Sequence, residues 1–141
     1  MLTKRELEAR RDIAFEQYVK SVNVEANIVT EMVATKYVPA AIRYQTELAE
    51  NVAALKAAGV KADVGLLNKI TALVTSLSEE SDKLAEIRAH HVSGLEAEAS
   101  HYCHELLPQL LAIRKVVDAL EAICPDESWP VPTYEEMLFI R

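Results

Sequence analysis

Apolar residues recur at steps of three and four along most of this chain, the spacing that lays one greasy stripe down a helix. The first stripe is Phe15, Val19, Val22, Ala26, Val29, Val33 and Tyr37. A second follows as Val38, Ile42, Leu48, Val52 and Leu55, with Gln45 as its polar member. The third is Leu67, Ile70, Val74, Leu77, Ser81 and Leu84, flanked by Ile87, in nearly heptad register; such a register suits a long antiparallel neighbour. The fourth is Leu95, Ala99, Tyr102, Leu106, Leu110, Ile113, Val117 and Leu120. No stretch shows strand-type alternation bounded by turns. The pattern therefore predicts an all-α fold, an antiparallel bundle of three to four long, proline-kinked helices closed by an extended Pro/aromatic tail.

Punctuation sharpens the boundaries. Thr3 with Glu6 makes a capping box. Gly59 is placed to stop a helix as its C′ residue. Asp63 is the expected N-cap of the next helix and Ser93 that of the one after, with His91–Gly94 as the turn between them. Pro39 and Pro108 lie inside helical pattern, where each removes a backbone donor and crowds the carbonyl four residues back, Thr35 and His104 respectively. Cys124-Pro125 ends the last long helix. The expected helices are about 3–38, 39–58, 63–90 and 94–123, with a tail at 124–141, all in one domain, 1–141.

One length does not fit a simple bundle. Residues 3–58 as a straight helix would reach about 82 Å, against roughly 40–45 Å for the later helices. Either Pro39 folds the segment back, or the segment projects and buries its stripe against something else, because a stripe this apolar does not stay wet.

The tail, CPDESWPVPTYEEMLFIR, holds the only Trp and three of the five prolines. Its prolines favour extended backbone, and Thr133 with Glu136 offers a capping box for one last turn. Trp129 and Phe139 are the expected anchors, on the bundle itself or on a neighbouring chain or domain.

Composition then excludes several functions. The 141 residues are 50% apolar and 26% charged, ordinary globular usage, with a net charge of −7. That charge argues against nucleic acid and anionic membrane as partners, since phosphate binding needs clustered Lys and Arg. The longest run without charge, Ile70–Ser78, is far too short to span a bilayer. Cys103 and Cys124, about 31 Å apart if they share one helix, cannot pair, which favours a reducing, cytoplasmic setting.

Chemistry is sparse. His90, His91, His101 and His104 flank one turn. His101 and His104 are three apart on one helix, and Glu98-x-x-His101 is half of a di-iron carboxylate motif. A second Glu-x-x-His is absent from the sequence. There is no glycine-rich phosphate loop and no Gly-x-Ser-x-Gly elbow. Glu6–Arg10, Glu16–Lys20 and Glu79–Lys83 have the spacing of ion pairs on solvated faces.

Three blocks carry a resemblance: Asn23-Val24-Glu25-Ala26, with Met32 and Val38-Pro39-Ala40-Ala41-Ile42-Arg43-Tyr44 after it; His104-Glu105-Leu106-Leu107-Pro108, with Arg114; and Trp129-Pro130-x-Pro132-x-Tyr134-x-x-Met137-Leu138-Phe139. In order and spacing they resemble the C-terminal helical region of type III glutamine synthetases, over roughly residues 5–141. Glu135 and the stretch His101-Tyr102-Cys103-His104 depart from the family pattern. The resemblance implies a large cytoplasmic enzyme that joins ammonia to glutamate with ATP and Mg or Mn, assembled as a double-ring homo-oligomer. It places the catalytic ligands in a β-rich region ahead of this segment. No catalytic, cofactor-binding or metal residue is therefore carried over to this chain, and the chain itself is expected to bind no cofactor. The expected partners are the catalytic region of the same polypeptide and neighbouring subunits, with self-association through the orphaned stripe. The competing readings are a free-standing helical adaptor that binds another protein, and a metal-dependent bundle enzyme using Glu98, His101 and His104.

Overall fold

The computed structural model describes residues 3–138. Its elements in chain order are α1 (Lys4–Met32), a first π-turn (Val33–Tyr37), α2 (Val38–Ala57), α3 (Gly65–Ala89), α4 (Leu95–His101), a second π-turn (Tyr102–Leu106), α5 (Leu107–Glu121), a 3₁₀ turn (Asp126–Ser128) and α6 (Tyr134–Leu138). The architecture is all-α, with no strand among the described residues.

The two prolines neither break nor reverse their helices. Met32 and Val38, on either side of the first π-turn, keep right-handed helical dihedrals, as do His101 and Leu107 around the second. In each case the widened turn closes one residue before the proline: Val38 N–H reaches Val33 O, and Leu107 N–H reaches Tyr102 O, five residues back. A proline ring clashes with the carbonyl one ordinary turn behind it. An extra residue in that turn moves the carbonyl away, so the helix absorbs the proline instead of ending. Residues 4–57 thus run as one helical element of about 80 Å, and Pro39 does not fold it back.

Side-chain contacts give the topology. Gln45 Nε2 donates to Thr71 Oγ1 at 2.7 Å, while Arg88 bonds Asn27; as one number falls the other rises, so α3 returns antiparallel along the long helix. Gln109 Nε2 donates to the Glu80 carbonyl at 2.8 Å and His101 Nε2 lies 3.1 Å from the Ile87 carbonyl. The α4–α5 rod is therefore antiparallel to α3, and it packs beside α1. The Gln45–Thr71 bond also accounts for the polar member of the second stripe.

The core is the seam of these three rods. Ile70, Leu77 and Leu84, one per heptad on α3, are fully buried, with Leu106, Ile113 and Leu120 facing them from the rod behind. The first stripe does not wait for an outside partner. Val22, Ala26 and Val33 are buried, and Val19, Val29 and Tyr37 are half-buried against the same core. What projects is the start of α1: every residue from Thr3 to Ala14 is exposed.

The caps follow local chemistry. Thr3 and Glu6 form the capping box, with Thr3 N–H on Glu6 Oε2 at 2.7 Å and Glu6 N–H on Thr3 Oγ1 at 3.3 Å; those bonds hold the Glu6 carboxyl below its ordinary range. Asp63 and Ser93 are not the N-caps expected of them. Asp63 instead accepts from Gly65 N–H at 2.9 Å ahead of α3, and Gly94 holds the cap position of α4. At the end of α2, Gly59 N–H reaches Lys56 O and Val60 N–H reaches Leu55 O, the paired bonds of a Schellman stop. Gly59 takes φ 75° with no atom near its missing Cβ, so Gly59→Ala is expected to cost about 1–2 kcal/mol through backbone strain alone. A urea titration reads it; a loss below about 0.3 kcal/mol would mean the turn re-forms with another conformation.

Candidate functional site

The histidines cluster about the turn between α3 and α4, and the rings of His101 and His104 lie against backbone carbonyls. His101 Nε2 lies 3.1 Å from the Ile87 carbonyl, in the last turn of α3, and its ring packs 5.3 Å from that of His90. His104 Nδ1 lies 2.8 Å from the Ser100 carbonyl, one turn back on its own rod. Both contacts satisfy groups of the helix framework. Among the described residues, no group of three His, Cys, Asp or Glu side chains is arranged to hold a metal ion. No chemical step is assigned to these residues.

The cysteines are separate free thiols. Cys103 is exposed, whereas Cys124 is buried and burial pushes its thiol up. Tyr18 stands beside Cys103, and burial, then that thiol, raises its phenol. Of the expected surface pairs, Glu16–Lys20 closes at 2.6 Å. Lys83 instead pairs with Glu80 at 2.6 Å, whose other oxygen accepts from Gln109 Nε2 at 2.7 Å. The link to Gln109 explains the preference, since Glu80 faces α5. Lys83 and Gln109 hold the Glu80 carboxyl below its ordinary range.

The tail folds back. A 3₁₀ turn, closed by Ser128 N–H on Pro125 O at 2.9 Å, swings the chain round after α5. Trp129 is 8% exposed, and its ring meets Tyr37 of the first π-turn at a centroid distance of 5.5 Å. Thr133 and Glu136 form the predicted capping box ahead of α6, with Thr133 N–H on Glu136 Oε2 at 2.9 Å. The other expected anchor, Phe139, lies outside the described residues.

Between α1 and α5, next to this tail, a groove of about 930 Å³ opens. Its floor is Ile113, Val117 and Val29. Ile28 and Met32 line it from α1, Leu110 and Leu111 from α5, and Val131, Pro132 and Met137 from the tail. Glu25, Asp118, Glu121 and Arg114 also line it, with Arg114 Nε 3.7 Å from Asp118 Oδ2. Of the groove's lining, Ile28 is 51%, Leu111 58% and Met137 48% exposed. Such a concentration of wet aliphatic surface is the usual mark of an interaction site. Ile28 and Leu111 lie off the apolar stripes, each one position from a half-buried stripe residue, Val29 or Leu110. That adjacency, a doubled apolar pair where one would fill the stripe, is the signal that finds them.

Comparison with known proteins places the chain. A family model described as the glutamine synthetase C-terminal domain matches residues 1–56. The type-3 glutamine synthetase of Dictyostelium discoideum is 32% identical over 151 residues, covering 100% of this chain and 20% of the relative. A glutamine synthetase of Bacteroides fragilis (strain YCH46) is 28% identical over 96% of the chain and 20% of that protein. One from Butyrivibrio fibrisolvens is 26% identical over 99% and 21%. The chain spans about a fifth of the length of these curated relatives. A helical fold aligned end to end with one portion of several synthetases leaves a single assignment: this chain belongs to the C-terminal domain family of the type III glutamine synthetases.

Proposed function

We propose that this chain is a non-catalytic helical domain of a cytoplasmic glutamine synthetase, whose full-length polypeptide ligates ammonia to glutamate with ATP and Mg²⁺ or Mn²⁺. Its work is mechanical: it packs against the catalytic region of its own polypeptide and against neighbouring subunits, and so stabilises a homo-oligomer. The observation that carries this reading is the whole-chain alignment to about a fifth of each relative. The exposed Thr3–Ala14 arm and the groove supply surfaces for such packing.

Glutamine formation from ATP, glutamate and ammonia, with sedimentation, tests it. The isolated chain is expected to form no glutamine. The full-length parent is expected to form it, and to lose assembled species and thermal stability when residues 1–141 are deleted. Glutamine formed by the isolated chain would overturn the non-catalytic assignment, and an unaltered oligomer after deletion would overturn the packing role. The free-standing adaptor reading predicts instead a reading frame that begins near Met1.

A further inference from the structure

α1 carries a second apolar stripe that its own bundle leaves uncovered. Among the described residues of α1, the exposed large apolar side chains are Leu7, Ile13, Val24 and Ile28, each more than half accessible. At 3.6 residues per turn these four fall within about a 120° arc, centred about 140° round the helix from the buried stripe of Val22, Ala26 and Val33. Arg10, Ala14, Gln17 and Ser21 fill the same arc between them, and all are exposed. The spacing of the four is symmetric. Leu7 and Ile28 are centred within one residue of Tyr18, and so are Ile13 and Val24. One α1 laid antiparallel on another, about a two-fold axis near Tyr18, therefore sets Leu7 beside Ile28 and Ile13 beside Val24, twice over. A closed two-fold interface requires this kind of self-complementarity. Near the axis Ala14 comes level with Ser21, and small side chains there let the two helices approach closely.

The charges favour the same direction. Residues 3–14 carry four basic against three acidic side chains, while residues 21–32 carry Glu25 and Glu31 and no basic one. The antiparallel register brings Arg10 level with Glu25 and Lys4 level with Glu31, whereas a parallel register would set each segment on its own kind. Glu6, which also comes near Glu31, is held in the capping box of its own helix. The contact runs over residues 3–32, about 45 Å at helical rise and about 10 Å wide. Two such footprints cover about 1,000 Å², the lower bound for a specific interface. We propose that the exposed face of α1 receives the α1 of a second copy of this chain, antiparallel and two-fold, which in the parent is the α1 of a neighbouring subunit. The inference rests on the proposed packing role and deepens it by naming the surface and its partner.

Disulfide trapping tests the pair in a Cys103→Ser background, where the remaining Cys124 is buried. Gln17→Cys, close to the two-fold axis, is expected to form a covalent dimer under diamide about tenfold faster than Leu66→Cys. Leu66 is exposed at the start of α3, away from this face, and reports chance collision. An equimolar mixture of Ile13→Cys and Val24→Cys chains is expected to give the mixed dimer as fast as Gln17→Cys links to itself, with each chain alone no faster than Leu66→Cys. Fast self-linking of Ile13→Cys alone would mean a parallel pair and overturn the proposed register. Rates for Gln17→Cys and for the mixture equal to that of Leu66→Cys would overturn the pairing altogether. Sedimentation of the 141-residue chain gives a second reading on exposed positions that the fold does not need. Ile13→Glu with Ile28→Glu is expected to abolish the dimer, and Leu111→Glu, on the groove, to leave it; the reverse pattern would move the contact to the groove and overturn the α1 pair. In the full-length parent, Gln17→Cys is expected to link two subunits. Assembled species lost on deleting residues 1–141, with no such link, would overturn the pair and leave the packing role standing. A link in a parent whose oligomer survives that deletion would overturn the packing role and leave the pair.

Discussion

Replacing Leu77 with Ala is expected to lower the unfolding free energy by about 3–5 kcal/mol. Leu77 is the middle of the three α3 residues that sit one heptad apart, and it is fully buried in the seam shared with α5 and the long helix. Removing three carbons there loses their transfer energy and leaves a void that rods held on both sides close only in part. Total stabilities of such domains are about 5–15 kcal/mol, so this single change removes a large fraction. Urea titration should show a lower midpoint with an unchanged slope. Leu111→Ala, on the exposed groove wall, is the comparison and should cost less than about 0.5 kcal/mol. A loss under about 1 kcal/mol for Leu77→Ala would mean the seam is not packed as described.

Trp129→Ala is expected to cost about 2–4 kcal/mol, less than the 3–5 typical of a buried aromatic truncation. The reduction has a specific source. Among the described residues Trp129 Nε1 is buried without a hydrogen-bond partner, and an orphaned donor carries a penalty of about 1–3 kcal/mol that the truncation relieves. The contrast with Trp129→Phe isolates that contribution. Phe keeps a ring to set against Tyr37 and deletes the orphan, so it is expected to cost less than about 1 kcal/mol despite its smaller volume. Equilibrium unfolding followed by circular dichroism checks both variants, since the only Trp is lost in each. A Phe variant as unstable as the Ala variant would show that the indole nitrogen is satisfied, by ordered water for instance.

Much of the bundle was legible in the residues. Ile70, Leu77 and Leu84 lie at heptad spacing, and heptad spacing admits little besides a helix seam; Trp129 in a proline-rich tail had to pack or aggregate. Pro39 was not legible in the same way. Local rules give the cost of a proline in a helix but not the remedy, because a turn that takes in one more residue is stabilised by what packs on both sides of it. The cover over the Phe15–Tyr37 stripe was hidden for a related reason. A stripe announces that it needs a partner without naming one, and here the partner is the α4–α5 rod, some 70–90 residues away in sequence. Of the candidate site, the histidines were visible as a cluster, but not the contact of His101 with the Ile87 carbonyl, which depends on where a neighbouring helix ends. The groove was least visible. It arises from the separation between α1 and α5, and Ile28 and Leu111 become an interaction surface only once those two rods stand apart.

A helix that carries through a proline without a break behaves as a strut. Hinges need a segment whose dihedrals change cheaply, and both π-turns keep their flanking residues in helical conformation with their carbonyls bonded. A push on the Thr3–Ala14 arm is therefore expected to travel along a helical path of about 80 Å to the Gly59 turn, with α3 packed against its far half. Any tilt of this domain should swing both ends together, like a lever pivoting on its bundle.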